Sequence, residues 1–148
     1  MTAHRTALAT ATLLTTAALA LTGCSDDETP SSAVSKAASA LQEATAKAGE
    51  KFDDIKSGVD VKDDVSVGTP DVGSDGRASA ELTVHNTADA QKSFLVQVEF
   101  TDGSGNVLDT VAVTVSDVPA GATKKATARG NRSLSGSPEA DVPRAVRY

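Results

Sequence analysis

Residues able to do chemistry are few in this sequence. Cys24 is its one thiol, and His4 and His85 are its two imidazoles. A single cysteine excludes an internal disulfide framework and a cysteine-rich zinc site, and two histidines exclude a three-histidine metal centre. A Ser-His-Asp relay would need His85 beside a nucleophilic serine with an acid behind it. No Gly-x-Ser-x-Gly occurs. Ser104 stands in Asp102-Gly103-Ser104-Gly105-Asn106, residues that suit a hairpin tip rather than the strained strand-to-helix elbow of a hydrolase. His85 reads as the end of a strand bordering an Asn86-Thr87 turn. Cys24 is the residue placed to react. It closes Leu21-Thr22-Gly23-Cys24 at the end of an apolar run. Small residues before it let an extended chain enter a membrane-bound peptidase, and the thiol then lies at the bilayer surface, within reach of a lipid donor.

Three charged constellations could bind ions or simply face solvent. Asp102-x-Ser104-x-Asn106 starts like a calcium loop. However, its sixth residue is Val107 where an EF-hand has glycine, and its twelfth is Val113 where a bidentate glutamate is needed. The hairpin reading is preferred. Asp53-Asp54, Asp63-Asp64, Asp71 and Asp75 could gather weak calcium, but a solvated acidic surface accounts for them. Lys124, Lys125, Arg129, Arg132, Arg144 and Arg147 concentrate positive charge in the C-terminal quarter and could touch anionic polymers or phospholipid heads. The simpler account is a solubilising face. No metal or organic cofactor is expected.

The 148 residues carry 14 Lys+Arg against 20 Asp+Glu, a formal net charge of −6. That balance argues against nucleic acid, whose phosphates need a basic footprint. The length suits one domain with a tail. Around Arg5 the N-terminus is basic, and the stretch from Ala7 to Leu21 is uncharged and largely apolar. As a helix it would span about 22 Å, short of the ~30 Å hydrocarbon core, so it suits a signal sequence better than a permanent span. Ser25 to Ser32 is polar and acidic with Pro30, the composition of a disordered tether.

From Ala33 the residues favour helix. Val34, Ala38, Leu41, Thr45, Ala48, Phe52 and Ile55 form a seam at helical spacing, broken in polarity only by Thr45. Ser32 is the expected N-cap and Gly58 the expected terminator. The seam's small central residues bury little area, so a spacer, solvated or resting on the following domain, is preferred over a coiled coil.

After Gly58 the period becomes two. Val59, Val61, Val65 and Val67 mark a first strand interrupted at Lys62-Asp63-Asp64. Leu82 and Val84 lie on a second strand. Phe94, Val96, Val98 and Phe100 should face a core, with Gln97 and Glu99 outward. Val107, Asp109, Val111, Val113 and Val115 continue the alternation. Lys124 to Arg132 and Val142 to Tyr148 complete the set. Strands at this spacing read as an antiparallel sandwich.

Two resemblances add to this. Leu21-Thr22-Gly23-Cys24 resembles the lipobox of bacterial lipoproteins. This implies cleavage between Gly23 and Cys24 and a thioether diacylglycerol on Cys24, with or without a further N-acyl chain. The second motif set is His85-Asn86-Thr87-Ala88-Asp89, Phe94-x-Val-x-Val-x-Phe100-x-Asp102-x-x-Gly105 and Val118-Pro119-Ala120-Gly121. It resembles the FxLYD-type domain of bacterial, actinobacterial-type surface lipoproteins, a structural likeness that carries no catalytic residues. The expectation is a signal peptide over 1–23, a tether over 24–32, a helical spacer over 33–57 and an immunoglobulin-like antiparallel β-sandwich over 58–148. The protein would sit on the outer face of the cell membrane through its lipid, as a monomer and without enzymatic activity. It would be a binding module for an envelope protein or polymer. The alternatives are an accessory subunit contacting partners through its helix and, last, a hydrolase.

Overall fold

The computed structural model describes residues 30–148. Leu21, Thr22, Gly23, Cys24 and the whole leader lie outside the described residues. One helix precedes eight strands. They are α1 (Pro30–Asp53), β1 (Val59–Asp60), β2 (Val65–Val67), β3 (Asp71–Val72), β4 (Arg77–His85), β5 (Lys92–Thr101), β6 (Val107–Val118), β7 (Thr123–Ser133) and β8 (Glu139–Arg147).

The helix starts earlier than its composition predicts. Pro30 occupies the first turn, where its missing N–H costs nothing and its fixed φ is already helical. Ser32 therefore lies inside the helix instead of capping it, and residues 30–32 leave the tether. The helix also ends before Gly58. Asp54 N–H bonds Glu50 C=O at 3.2 Å and Ile55 N–H bonds Phe52 C=O at 3.1 Å, closing its last turn.

The strands form two antiparallel sheets. The first has the order β1-β8-β5-β6; in the second, β4 pairs β2 and β3 along one edge and β7 along the other. Successive strands change sheets at β1 to β2, β4 to β5, β6 to β7 and β7 to β8, the crossing connectivity of an immunoglobulin-like sandwich. Alternation drives this packing. Ala78, Ala80, Leu82 and Val84 of β4 face Phe94, Val96, Val98 and Phe100 of β5 across one core, with Val111, Val115 and Val118 from β6. All four inward positions of β5 are fully buried.

The expected first strand is two strands in different sheets. Val59–Asp60 pairs with β8, and Val65–Val67 pairs with β4. A 3-10 turn over Lys62–Asp64 makes the crossing, with Lys62 N–H bonded to Asp60 Oδ1 at 3.1 Å. As a result Val61 is in the core while Val59 is exposed.

The helix rests on the following domain instead of standing in solvent. It lies across the outer face of the first sheet, mainly over β6. Phe52 is 2% exposed and packs with Leu95 and Val146, joined by Ile55 and Ala112, in a second apolar cluster. The Arg144 guanidinium sits 4.3 Å from the Phe52 ring centroid, a favourable cation-π distance. Thr45, the polar exception in the seam, has its Oγ1 3.4 Å from Thr110 Oγ1. Gly58 is required behind it, because a Cβ there would approach Ile55 Cγ2 to 2.9 Å and Val146 Cβ to 3.1 Å.

Asn86 ties the end of the sandwich away from the helix N-terminus. It is fully buried, and its Nδ2 donates to the carbonyls of Ala90 and Val118 at 2.8 Å and Pro119 at 3.2 Å. Its Oδ1 accepts from Ala88 N–H at 3.1 Å. The β4-β5 loop and the Pro119-Gly121 turn are thereby joined through one amide. Asn86→Ala strands several buried groups at once and should cost about 3 kcal/mol in urea denaturation. A change under about 0.5 kcal/mol, typical of a surface position, would contradict this role.

Candidate functional site

The positions singled out by sequence do not converge. His85 is exposed at the last residue of β4, and among the described residues no serine or acid side chain is hydrogen-bonded to it. Asp102 spends both carboxylate oxygens on its own loop. Oδ1 accepts from Ser104 N–H at 2.8 Å and Asn106 N–H at 3.0 Å, and Oδ2 accepts from Asn106 Nδ2 at 2.9 Å. Those bonds, led by the Asn106 side chain, hold its carboxyl below the ordinary range. Gly105, at φ 82°, completes a hairpin tip. Among the described residues no three His, Cys, Asp or Glu side chains gather to hold a metal.

The six C-terminal cations are dispersed and locally engaged. Lys125 pairs with Glu81 at 2.7 Å, Arg129 with Asp75, and Arg147 with Thr87 Oγ1 at 2.9 Å. Lys124 Nζ donates to Ser116 C=O at 2.7 Å, and Arg132 Nη1 donates to Ala37 C=O at 2.6 Å. Arg144 covers Phe52. The Asp75 carboxyl is held below its ordinary range, first by the Arg77 backbone N–H and then by Arg129.

A different site emerges where α1 flanks the edge of the first sheet. The helix runs over β6, and β7 belongs to the opposite sheet, so a groove of about 640 Å³ opens along the β6 edge between them. That volume lies within the ~300–1,000 Å³ usual for binding clefts. Small residues on the helix, Ala40, Ala44 and Ala48, leave the space open. Its floor is β6 from Asp109 to Thr114.

The floor is anchored by Asp109, which is fully buried. Asp109 Oδ1 accepts from Thr110 N–H at 2.9 Å, and Oδ2 accepts from the Asn131 backbone N–H. Gly130 allows this close approach, since a Cβ there would lie 3.0 Å from Asp109 Oδ2. Asn131 Nδ2 also donates to Thr110 C=O at 2.9 Å. This clasp fixes β7 against the start of β6, Lys124 of β7 ties the far end through Ser116 C=O, and the open part of the edge lies between them.

The walls are basic. Lys47 and Lys51 rise from the helix, and Arg129 and Arg132 from β7. Glu43 neutralises Lys47, at 2.6 Å, and Asp75 neutralises Arg129, so Lys51 and Arg132 are the wall cations without a carboxylate partner among the described residues; the hydrogen bond from Lys47 holds the Glu43 carboxyl below its ordinary range. Arg132 Nε is buried with no hydrogen-bond partner among the described residues.

No family model, characterised protein or solved structure matches this chain. The groove's architecture was hidden from the sequence, because strand order decides which strand is an edge. The available signal was the uncharged, β-prone run from Thr110 to Ser116, which lacks the charges that usually guard an edge.

Proposed function

We propose that this protein is a lipid-anchored interaction module held on the outer face of the cell membrane through Cys24. The observation that carries this is Leu21-Thr22-Gly23-Cys24 at the end of an apolar leader, only six positions before the helix that begins at Pro30. Two or more acyl chains give stable attachment where one alone is marginal. No helix among the described residues is long and apolar enough to cross a membrane.

The FxLYD-type assignment belongs to this proposal. It is supported by what its motifs do. Asn86 knots two loops, Phe94 to Phe100 supply core, and Gly105 and Gly121 turn the chain at positive φ. All are structural roles, in keeping with a scaffold that displays a surface. The C-terminal part of the α1 seam, Ala48, Phe52 and Ile55, is occupied by this chain's own sheet. This favours the module over an accessory subunit that grips partners through that seam.

Cys24→Ser removes the sulfur that would form the thioether. The variant should move from the detergent phase to the aqueous phase, and its intact mass should lose the lipid. A wild-type mature chain that is unmodified, or that begins elsewhere than Cys24, would overturn the anchor.

A further inference from the structure

We propose that the free edge of β6 is a strand-addition slot for an extended acidic peptide segment of a partner protein. This rests on the interaction-module reading and names its partner class.

The backbone makes the first argument. Along a strand, successive residues point their N–H and C=O groups to alternate sides. From Asp109 to Val115 the pairing with β5 is regular, Phe100 to Asp109 through Phe94 to Val115. Thr110 C=O bonds Asn131 and Ser116 C=O bonds Lys124, both on the side away from β5. Ala112 and Thr114 share that parity and so present their N–H and C=O groups to the groove. Among the described residues nothing bonds those groups.

The second argument is the lack of protection. Thr110 to Ser116 has neither charge nor proline, and five of its seven residues are β-branched. Other edges are guarded. β1, β2 and β3 have two or three residues each, and β7 carries Lys124, Lys125, Arg129 and Arg132. Natural sheets blunt a long edge with short strands or charge, and here the Thr110–Ser116 stretch of β6 lacks both.

The third argument is charge. An added strand would place its side chains alternately toward Lys47 and Lys51 on the helix and toward Arg129 and Arg132 on β7. Lys51 on the helix wall and Arg132 on the β7 wall, which have no carboxylate partner among the described residues, offer carboxylates on that strand one cation on each side. A second copy docked edge to edge would instead bring the Lys51 walls of the two copies together, a like-charge contact that an acidic strand avoids.

The test uses the full mature protein in detergent micelles and three capped peptides of about six residues, the usual strand length. One alternates valine with glutamate, one alternates valine with lysine, and one is the glutamate peptide methylated on its edge-facing amides. The glutamate peptide should bind about tenfold tighter than the lysine peptide at low salt, as expected for a few exposed ion pairs. It should protect the Ala112 and Thr114 amides from hydrogen exchange. Thr114→Pro should abolish binding, because it removes a groove-facing N–H while edge strands tolerate proline. Ala112→Pro provides the same test if Thr114→Pro unfolds. Lys51→Glu should weaken the glutamate peptide about threefold or more and leave thermal stability unchanged.

Equal binding of the methylated peptide, or undiminished binding to folded proline variants, overturns the slot. So does a dimer in sedimentation that Thr114→Pro dissolves, since that would assign the edge to a second copy. Failure of every peptide overturns the slot alone if photo-crosslinkers at Thr87 and Ala120, on the opposite end of the sandwich, still capture an envelope component. If they also capture nothing from correctly anchored protein, the module reading fails with it.

Discussion

Val98→Asp should leave the protein unfolded, while Glu99→Lys should cost no more than about 1 kcal/mol. The two residues are neighbours on β5 and face opposite ways. Val98 is fully buried, opposite Val111 in register, with Phe100 and Val96 on the same face. A carboxylate there has no donor to meet it, and several kcal/mol of desolvation is set against a total stability of about 5–15 kcal/mol. Glu99 is half-buried on the outer face and accepts a hydrogen bond from Gln97 Nε2 at 3.0 Å. Losing that bond accounts for its small cost. Urea denaturation followed by circular dichroism separates the two. Similar effects for both variants would mean that the register is shifted by one residue, since a single slip exchanges the two faces.

The alternation of β4 and β5 was legible because each has one wet face and one dry face, and the period of two reads directly from the residues. What escaped the sequence is non-local. Val59 to Val67 alternate as if in one strand, yet the turn at Lys62–Asp64 sends the two halves to different sheets. No local signal distinguishes a bulge from a crossing. Leu95 shares the outward face of Gln97 and Glu99, and alternation alone predicts solvent there. Phe52 covers it instead, making a third layer. A leucine on a polar face and a phenylalanine at the end of a helical seam were the matching halves of that contact, but pairing them requires knowing where the helix lies. Asp109 is a similar case. Its place among inward valines suggests a misfit until Asn131 and Gly130 arrive from another strand to receive it. The groove follows from both: it exists because the helix docks over β6 and because the clasp holds β7 beside it.

Removal of residues 1–57 decides whether that third layer belongs to the folding unit. The truncated chain, residues 58–148, should still fold cooperatively and stay monomeric, but be less stable by about 3–5 kcal/mol, the usual cost of losing a buried phenylalanine's contacts. The core between the sheets is untouched, since Leu82, Val84, Phe94, Val96, Val98 and Phe100 take no contact from the helix cluster. Removal uncovers Leu95 and Val146, with Ala112 beside them. Such a patch falls below the few hundred Å² that marks an association surface, and far below a stable dimer's ~1,200–2,000 Å². Arg144, freed from Phe52, adds charge at its rim. The helix also gives less than its length suggests, because Ala48 and Phe52 are its only fully covered residues among those whose side chains are described. Part of their gain is offset by ordering the rest. Thermal unfolding and sedimentation of the truncated chain provide the measurement. An unfolded or aggregated product would make Phe52 and Ile55 part of the primary core, and α1 would then be a structural element of the sandwich from the first folding step. A folded one places the helix as an added layer, whose remaining task is to wall the β6 groove.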